Sequence, residues 1–282
     1  MSKERASRRD DEVDKARTLY WFLCLRMYAG AGARPRDIQR IIAPTPAYDA
    51  HGEPIKNNKF LGYSRGEHVP SPALVRTAAK LVPRSASVLN HVIWTVLRTE
   101  GPIRKYARTW VGRLDPKIQD IVIHPSNEVG ANASRHTTGM LERRFSLDSL
   151  TALTVLLRLN LEENNTELAW LYAKSVFRVL LMLGGTIPSD ELLVCIFQIF
   201  VKRVFSLISF DGNRMVLENY DYVNMSWLLM MAANELEGEC VDKGRQRRKK
   251  GFYPLAVLDG THKTRLSPLF KIPLASLTTC GE

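Results

Sequence analysis

Cysteine is scarce in this chain of 282 residues: four stand at positions 24, 195, 240 and 280. No pair has the C-x2-C spacing of a zinc site, and nothing resembles the disulfide framework of a small secreted domain. A reducing compartment follows. Long uncharged runs are lacking too. The most apolar window, Leu192 to Phe210, is interrupted by Lys202 and Arg203, whereas a membrane-spanning helix needs about 20 largely uncharged residues. The N-terminus, Met1-Ser2-Lys3-Glu4-Arg5, lacks the apolar core of a secretory signal. A soluble, cytoplasmic protein without a membrane segment is expected.

Signatures of catalysis are also lacking. Histidines stand at 51, 68, 91, 124, 136 and 262. None forms H-x3-H or H-E-x2-H, and none pairs with a cysteine at ligand spacing. There is no phosphate-binding P-loop and no Gly-x-Ser-x-Gly. His124 and His136 flank a polar loop with Asn127, Glu128 and Arg135, which reads as surface. Glu162-Glu163 and Glu235, Glu237, Glu239 read as solvated helix ends. No enzyme, cofactor or metal is expected.

What the chain does have is an uneven charge. Residues 1–145 hold 25 Lys/Arg against 14 Asp/Glu, a net of +11, and residues 146–282 hold 15 against 15. Within the second half, residues 146–242 carry a net of −7 and residues 243–282 a net of +7. An acidic body thus lies between two basic ends, and a polyanion is the natural partner of the ends. Apolar residues make up 45% of the chain, enough to bury real cores, so global disorder is not expected. The length suits about two domains at roughly 100–200 residues each.

The periodicity is mainly helical. Val13, Tyr20, Leu23, Cys24 and Met27 fit a helix over 12–29, ended by Gly30. Pro35 to Ile42 is a short helix with proline at an early position. Residues 43–54 read as a loop, and helices are expected at about 56–64, from Ser71-Pro72, and over about 86–99. Residues 101–145 read as a connecting segment: Ile118 to Ile123 fits either a strand or a helix, and His124 to Gly139 a linker. Ser146, Thr166 and Ser189 are expected N-caps of helices near 147–161, 167–183 and 190–209, with Gly184-Gly185 closing the second. A last helix is expected over about 215–237.

The segment from Ile55 to Leu81 carries the most specific pattern. Ile55 is aliphatic, Phe60 takes a buried helix position, Tyr63 an aromatic one, and Arg65-Gly66 close the helix. Pro70-Ser71 then opens a helix with Leu74, Ala78 and Leu81. This resembles the second half of the Xre/Cro-like (lambda-repressor-like) helix-turn-helix domain, over about residues 36–81 when Arg36 to Ile42 is taken as the preceding helix. In that family the turn between the two helices is three or four residues long; here residues 43–54 intervene. The resemblance implies that Lys56, Asn57, Asn58, Lys59 and Gly62 face the major groove of DNA. Asn and Lys suit that task, since Asn binds adenine bidentately and Lys binds guanine or phosphate. Arg36, Arg40 and Arg65 are further candidate contacts.

Two other stretches are basic. Arg245, Arg247, Arg248, Lys249 and Lys250 stand in the run from Lys243 to Lys250. Such a run cannot pack and suits phosphate contacts that carry no base information. Arg104 to Arg113 interleaves bases with Tyr106 and Trp110, which serve either base stacking or the core of an amphipathic helix.

The expected architecture is mainly α: a charged arm (1–11), a helix-turn-helix-like domain (12–100), a connecting segment (101–145), a helical bundle (146–240) and a basic C-terminal segment (241–282). The expected function is DNA binding, with transcription regulation as its default role. The alternative is a non-catalytic nucleic-acid-binding subunit of a mobile-element or phage-defence complex. In either case the apolar faces of the 146–240 body suit a second copy or a protein partner.

Overall fold

Proline sets most helix starts in the first part of the chain, where its fixed φ suits the first turn and its missing N–H costs nothing. Pro35, Pro72 and Pro83 begin α2 (Pro35–Ile42), α4 (Pro72–Leu81) and α5 (Pro83–Leu89); α1 (Asp11–Ala29) precedes them and α3 (Lys59–Ser64) lies between α2 and α4. The computed structural model describes residues 11–30, 32–44, 58–124, 126, 128–130, 134–242, 251–261, 270 and 272–276. The chain is mainly α-helical. By its internal contacts it divides into two units, Met1–Trp94 and Thr95–Glu282.

In the first unit α1 is the spine. It buries Val13, Ala16, Leu19, Trp21 and Leu25 and packs on α2, α3 and α5. The single helix expected over 86–99 is two: α5 ends at Leu89 and α6 (Ile93–Arg98) follows a break. Hydrogen bonding explains the break. In a continuous helix the carbonyl of Val88 would accept from the amide of Val92. Here it accepts from the amide of His91 at 3.3 Å and from the buried indole N–H of Trp94 at 2.7 Å. The ring Nδ1 of His91 then accepts from the amide of Ile93 at 3.2 Å, which satisfies the start of α6.

In the second unit the segment expected to be a connector, residues 101–145, carries α7 (Arg104–Val111), α8 (Pro116–Val122) and α9 (Arg135–Glu142). All three pack on α10 (Leu147–Glu162), which is buried at every residue from Ser149 to Asn160. The helix resolves the ambiguity at Ile118: Asp115 caps α8 by accepting from the amide of Lys117 at 2.8 Å, and Ile118 and Val122 turn inward. A tight turn after α10 leads to α11 (Thr166–Gly184), whose N-cap is Asn165 rather than Thr166. Ser146 and Ser189 cap α10 and α12 (Asp190–Arg203).

After a short 3₁₀ turn (Phe205–Leu207) come β1 (Ser209–Phe210), β2 (Asn213–Met215), α13 (Tyr222–Asp242), α14 (Phe252–Leu258) and β3 (Leu274–Ser276). The three strands form an antiparallel sheet in the order β1-β2-β3. So the helix expected from 215 starts seven residues later, at Tyr222. Asp211 and Gly212 both take positive φ, 51° and 67°, the geometry of a two-residue hairpin. At the C-terminal end of α11 the glycines are required by close approach. A Cβ on Gly184 would fall 2.3 Å from the Ser226 hydroxyl, and one on Gly185 1.8 Å from Met230 Cγ. Their absence of side chains lets α13 lie directly against α11.

Candidate nucleic-acid interface

α3 is only six residues long, and two buried aromatic side chains within one turn fix it. Phe60 and Tyr63 are 3% and 6% exposed, with ring centroids 5.5 Å apart in an edge-to-face arrangement. The Tyr63 ring also stands edge-to-face on Trp21 of α1, at 5.5 Å. Burial pushes the Tyr63 phenol above its ordinary pKa, so it stays neutral. α3 packs on both α1 and α2, and α2 turns Ile38 and Ile42 inward.

The helix ends at a residue that must be glycine. Gly66 has φ of 69°, and a Cβ there would lie 3.1 Å from the backbone oxygen of Lys15. Its amide donates to the carbonyl of Tyr63 at 3.1 Å, and that of Glu67 reaches back to Gly62 at 2.9 Å. Ser71 then opens α4 by accepting from the amide of Leu74 at 3.3 Å. Along α4, Val75 and Ala78 are buried while Leu81 is exposed, so Leu81 does not belong to the packed stripe.

Among the expected contacts, Asn58 and Lys59 are exposed at the start of α3. The Asn58 side chain makes no capping bond. Gly62 does not face outward: it is buried, and a Cβ there would strike the His68 ring at 2.5 Å. Arg36 and Arg40 are exposed on α2. Arg40 lies 4.0 Å from Asp37, a pair too exposed to hold it; Asp37 instead accepts from the Arg34 amide at 3.1 Å. Arg65 is exposed and lies 3.7 Å from Glu67. Lys56, Asn57, Arg245, Arg247, Arg248, Lys249 and Lys250 lie outside the described residues. The structure therefore gathers Asn58, Lys59, Arg36 and Arg40 on two packed helices.

The 104–113 stretch divides. Trp110 is 6% exposed and belongs to the core, whereas Tyr106 stacks on it at 5.4 Å and remains 39% exposed. The ammonium of Lys105 lies over the Tyr106 ring at 4.8 Å. The Nδ1 of His124 bonds to Ser126, and His136 is exposed on α9. Among the described residues no group of three His, Cys, Asp or Glu side chains is placed to hold a metal ion. Burial raises the Cys24 thiol, the reverse of what a nucleophile needs. Among the described residues no helix is long and apolar enough to cross a membrane.

The chain matches no family model, no curated protein and no solved structure.

One feature of the second unit is not visible as a motif. A cleft of about 490 Å³ opens between α7, the start of α11, the end of α10 and residues 128–130. Arg104 and Arg108, four residues apart on α7, line one side, and Glu163 and Asn160 another. Glu162-Glu163 is not a free solvated end. The Glu162 carboxylate accepts from the amides of Ile103 and Arg104 and so caps α7 from a distant helix. Glu163 pairs with Arg104 at 2.7 Å. The i, i+4 arginines were the only sequence signal for the cleft. The pairing of Glu162 with residues 103–104 is long-range and leaves no local trace.

Proposed function

We propose that the protein binds double-stranded DNA through its N-terminal unit, with α3 presented to the major groove and α2 beside it. The observation that carries this reading is the division of α3 itself. Two inward aromatics, Phe60 and Tyr63, hold it against α1 and α2, and its first positions, Asn58 and Lys59, stand exposed. Early positions of a recognition helix are those that meet base edges. Arg36 and Arg40 on α2 suit phosphate contacts, which set affinity and register rather than sequence. Control of transcription is the role this arrangement supports best.

A second reading has an observation of its own. Trp227 and Met231, four residues apart on α13, are 39% and 65% exposed. An exposed tryptophan and methionine on one helix face suit docking of a protein partner, as in a nucleic-acid-binding subunit of a larger complex.

The test pairs two variants in a binding-site selection from random duplex DNA. Asn58→Ala should melt with the parent, since an exposed substitution shifts stability by only about ±0.5 kcal/mol. It should lose about 1–3 kcal/mol of discrimination at one base pair. Phe60→Ala should lose the fold of the unit, at about 3–5 kcal/mol. Full base preference in Asn58→Ala rejects α3 as the reading element. Binding without preference in the parent, with a polypeptide co-purifying, favours the subunit.

A further inference from the structure

We infer that the cleft in the second unit is a binding site for a small zwitterion, a free α-amino acid with an apolar side chain. The inference stands apart from the DNA-binding reading and uses none of its residues.

Charge decides the ligand class. Arg104 and Arg108 line the cleft together with Glu128 and Glu163, so its ionic lining is balanced. A phosphate would gain the two arginines but meet both carboxylates. A zwitterion matches both signs at once. Its carboxylate suits the guanidinium fork of the arginines, and its ammonium suits Glu163. The existing Arg104–Glu163 pair has side chains 62% and 49% exposed, and exposed pairs contribute little. A ligand that brings both charges replaces that pair with two charge-assisted contacts.

The depth of the cleft supplies the rest. Asn160 lines it and is only 5% exposed. Its amide nitrogen donates to the carbonyl of Leu156 at 2.8 Å. That bond uses one hydrogen of the side-chain amide, leaving the second hydrogen and the carbonyl oxygen for a ligand. Leu159 and Leu168 add apolar wall. The exposed lining is more polar than apolar, so the charged and amide groups fix a ligand's orientation and the leucines receive its side chain. A volume of about 490 Å³ accepts an amino acid with a large side chain.

The test is calorimetric titration of the full chain, without DNA, with L-leucine, L-methionine, L-phenylalanine and L-tryptophan in turn. The comparison ligands are glycine, the N-acetyl derivative and the carboxamide of the best binder, and inorganic phosphate. At least one apolar amino acid should bind, and removing either ligand charge should weaken it at least tenfold. Glycine, without the side chain, should bind at least tenfold more weakly. Arg108→Gln, an exposed substitution, should melt with the parent and lose at least tenfold in affinity. Binding by none of the four amino acids overturns the inference. So does equal binding of the N-acetyl derivative, or preference for phosphate. Since DNA is absent, none of these outcomes bears on α3.

Discussion

The indole of Trp21 stands at 89° to the ring of Tyr63, with centroids 5.5 Å apart. This contact ties a six-residue helix to the nineteen-residue α1. An isolated helix as short as α3 is not stable in water, so its position depends on such anchors. Perpendicular aromatic pairs contribute about 0.5–1.5 kcal/mol beyond the area they bury. A double-mutant cycle with Trp21→Leu and Tyr63→Leu, read by chemical denaturation, should give a coupling energy in that range. Additive losses would mean that the two rings do not meet.

Gly66 supplies a second check on the same helix. Its φ of 69° and its seat against the Lys15 backbone leave no room for a side chain. Gly66→Ala should destabilise the first unit by about 1–3 kcal/mol, the cost of a non-glycine residue held in a sparsely populated conformation. A neutral or stabilising effect on the melting temperature would show that α3 is not closed this way.

In the second unit Arg158 is 9% exposed and donates to the carbonyls of Val96 and Gly101 at 2.8 and 2.7 Å. Burial lowers its pKa against the opposing charge of Glu162. Arg158→Leu leaves two carbonyls without their donor and should cost about 1.5–3 kcal/mol or more, the range for hydrogen bonds to a charged group. Arg158→Lys should recover only part of it, because an ammonium lacks the planar fork that reaches both oxygens. Full rescue by lysine in a urea melt would contradict the fork.

Glu142 predicts a pH dependence. It is 8% exposed, and burial raises its carboxyl pKa despite Arg178, whose Nε lies 3.4 Å away and which also holds Asp259 at 2.6 Å. A raised folded-state pKa means that the fold favours the protonated acid. The stability from this group is fully present below the unfolded value and is lost as pH rises through the folded one. Glu142→Gln mimics the protonated form and removes that dependence. Relative to the parent, the variant should gain in melting temperature as pH is raised from about 4 to about 7, starting from the ordinary carboxylate range. A constant difference would show that the fold leaves the carboxyl unshifted, and one of opposite sign that Arg178 holds it ionised.

How far the fold could be read from sequence depended on the range of the interaction. The caps at Ser146 and Ser189 act within three residues, and the inward spacing of Phe60 and Tyr63 within one turn, so local pattern carries them. The break after Leu89 depends on one indole taking a backbone oxygen, which hydrophobic periodicity does not encode. The strands of the hairpin at Asp211-Gly212 are only two and three residues long, too short for alternation to register. Residues 101–145 looked like a connector because their polar residues dilute the apolar stripes. Contact with α10, far along the chain, is what makes them helical core. In the candidate interface, Gly62 went wrong for a related reason: its inward direction follows from His68, which arrives from the turn beyond α3.

The most direct test of the DNA-binding account is the salt dependence of affinity. For the full chain on duplex DNA, log K should fall linearly with log salt, by about 0.9 for each phosphate neutralised. Arg36→Gln and Arg40→Gln should each reduce the slope by about 1 if each cation meets a phosphate, with the fold unchanged. A flat response in the parent, or a slope that neither substitution alters, would contradict the placement of DNA against α2 and α3.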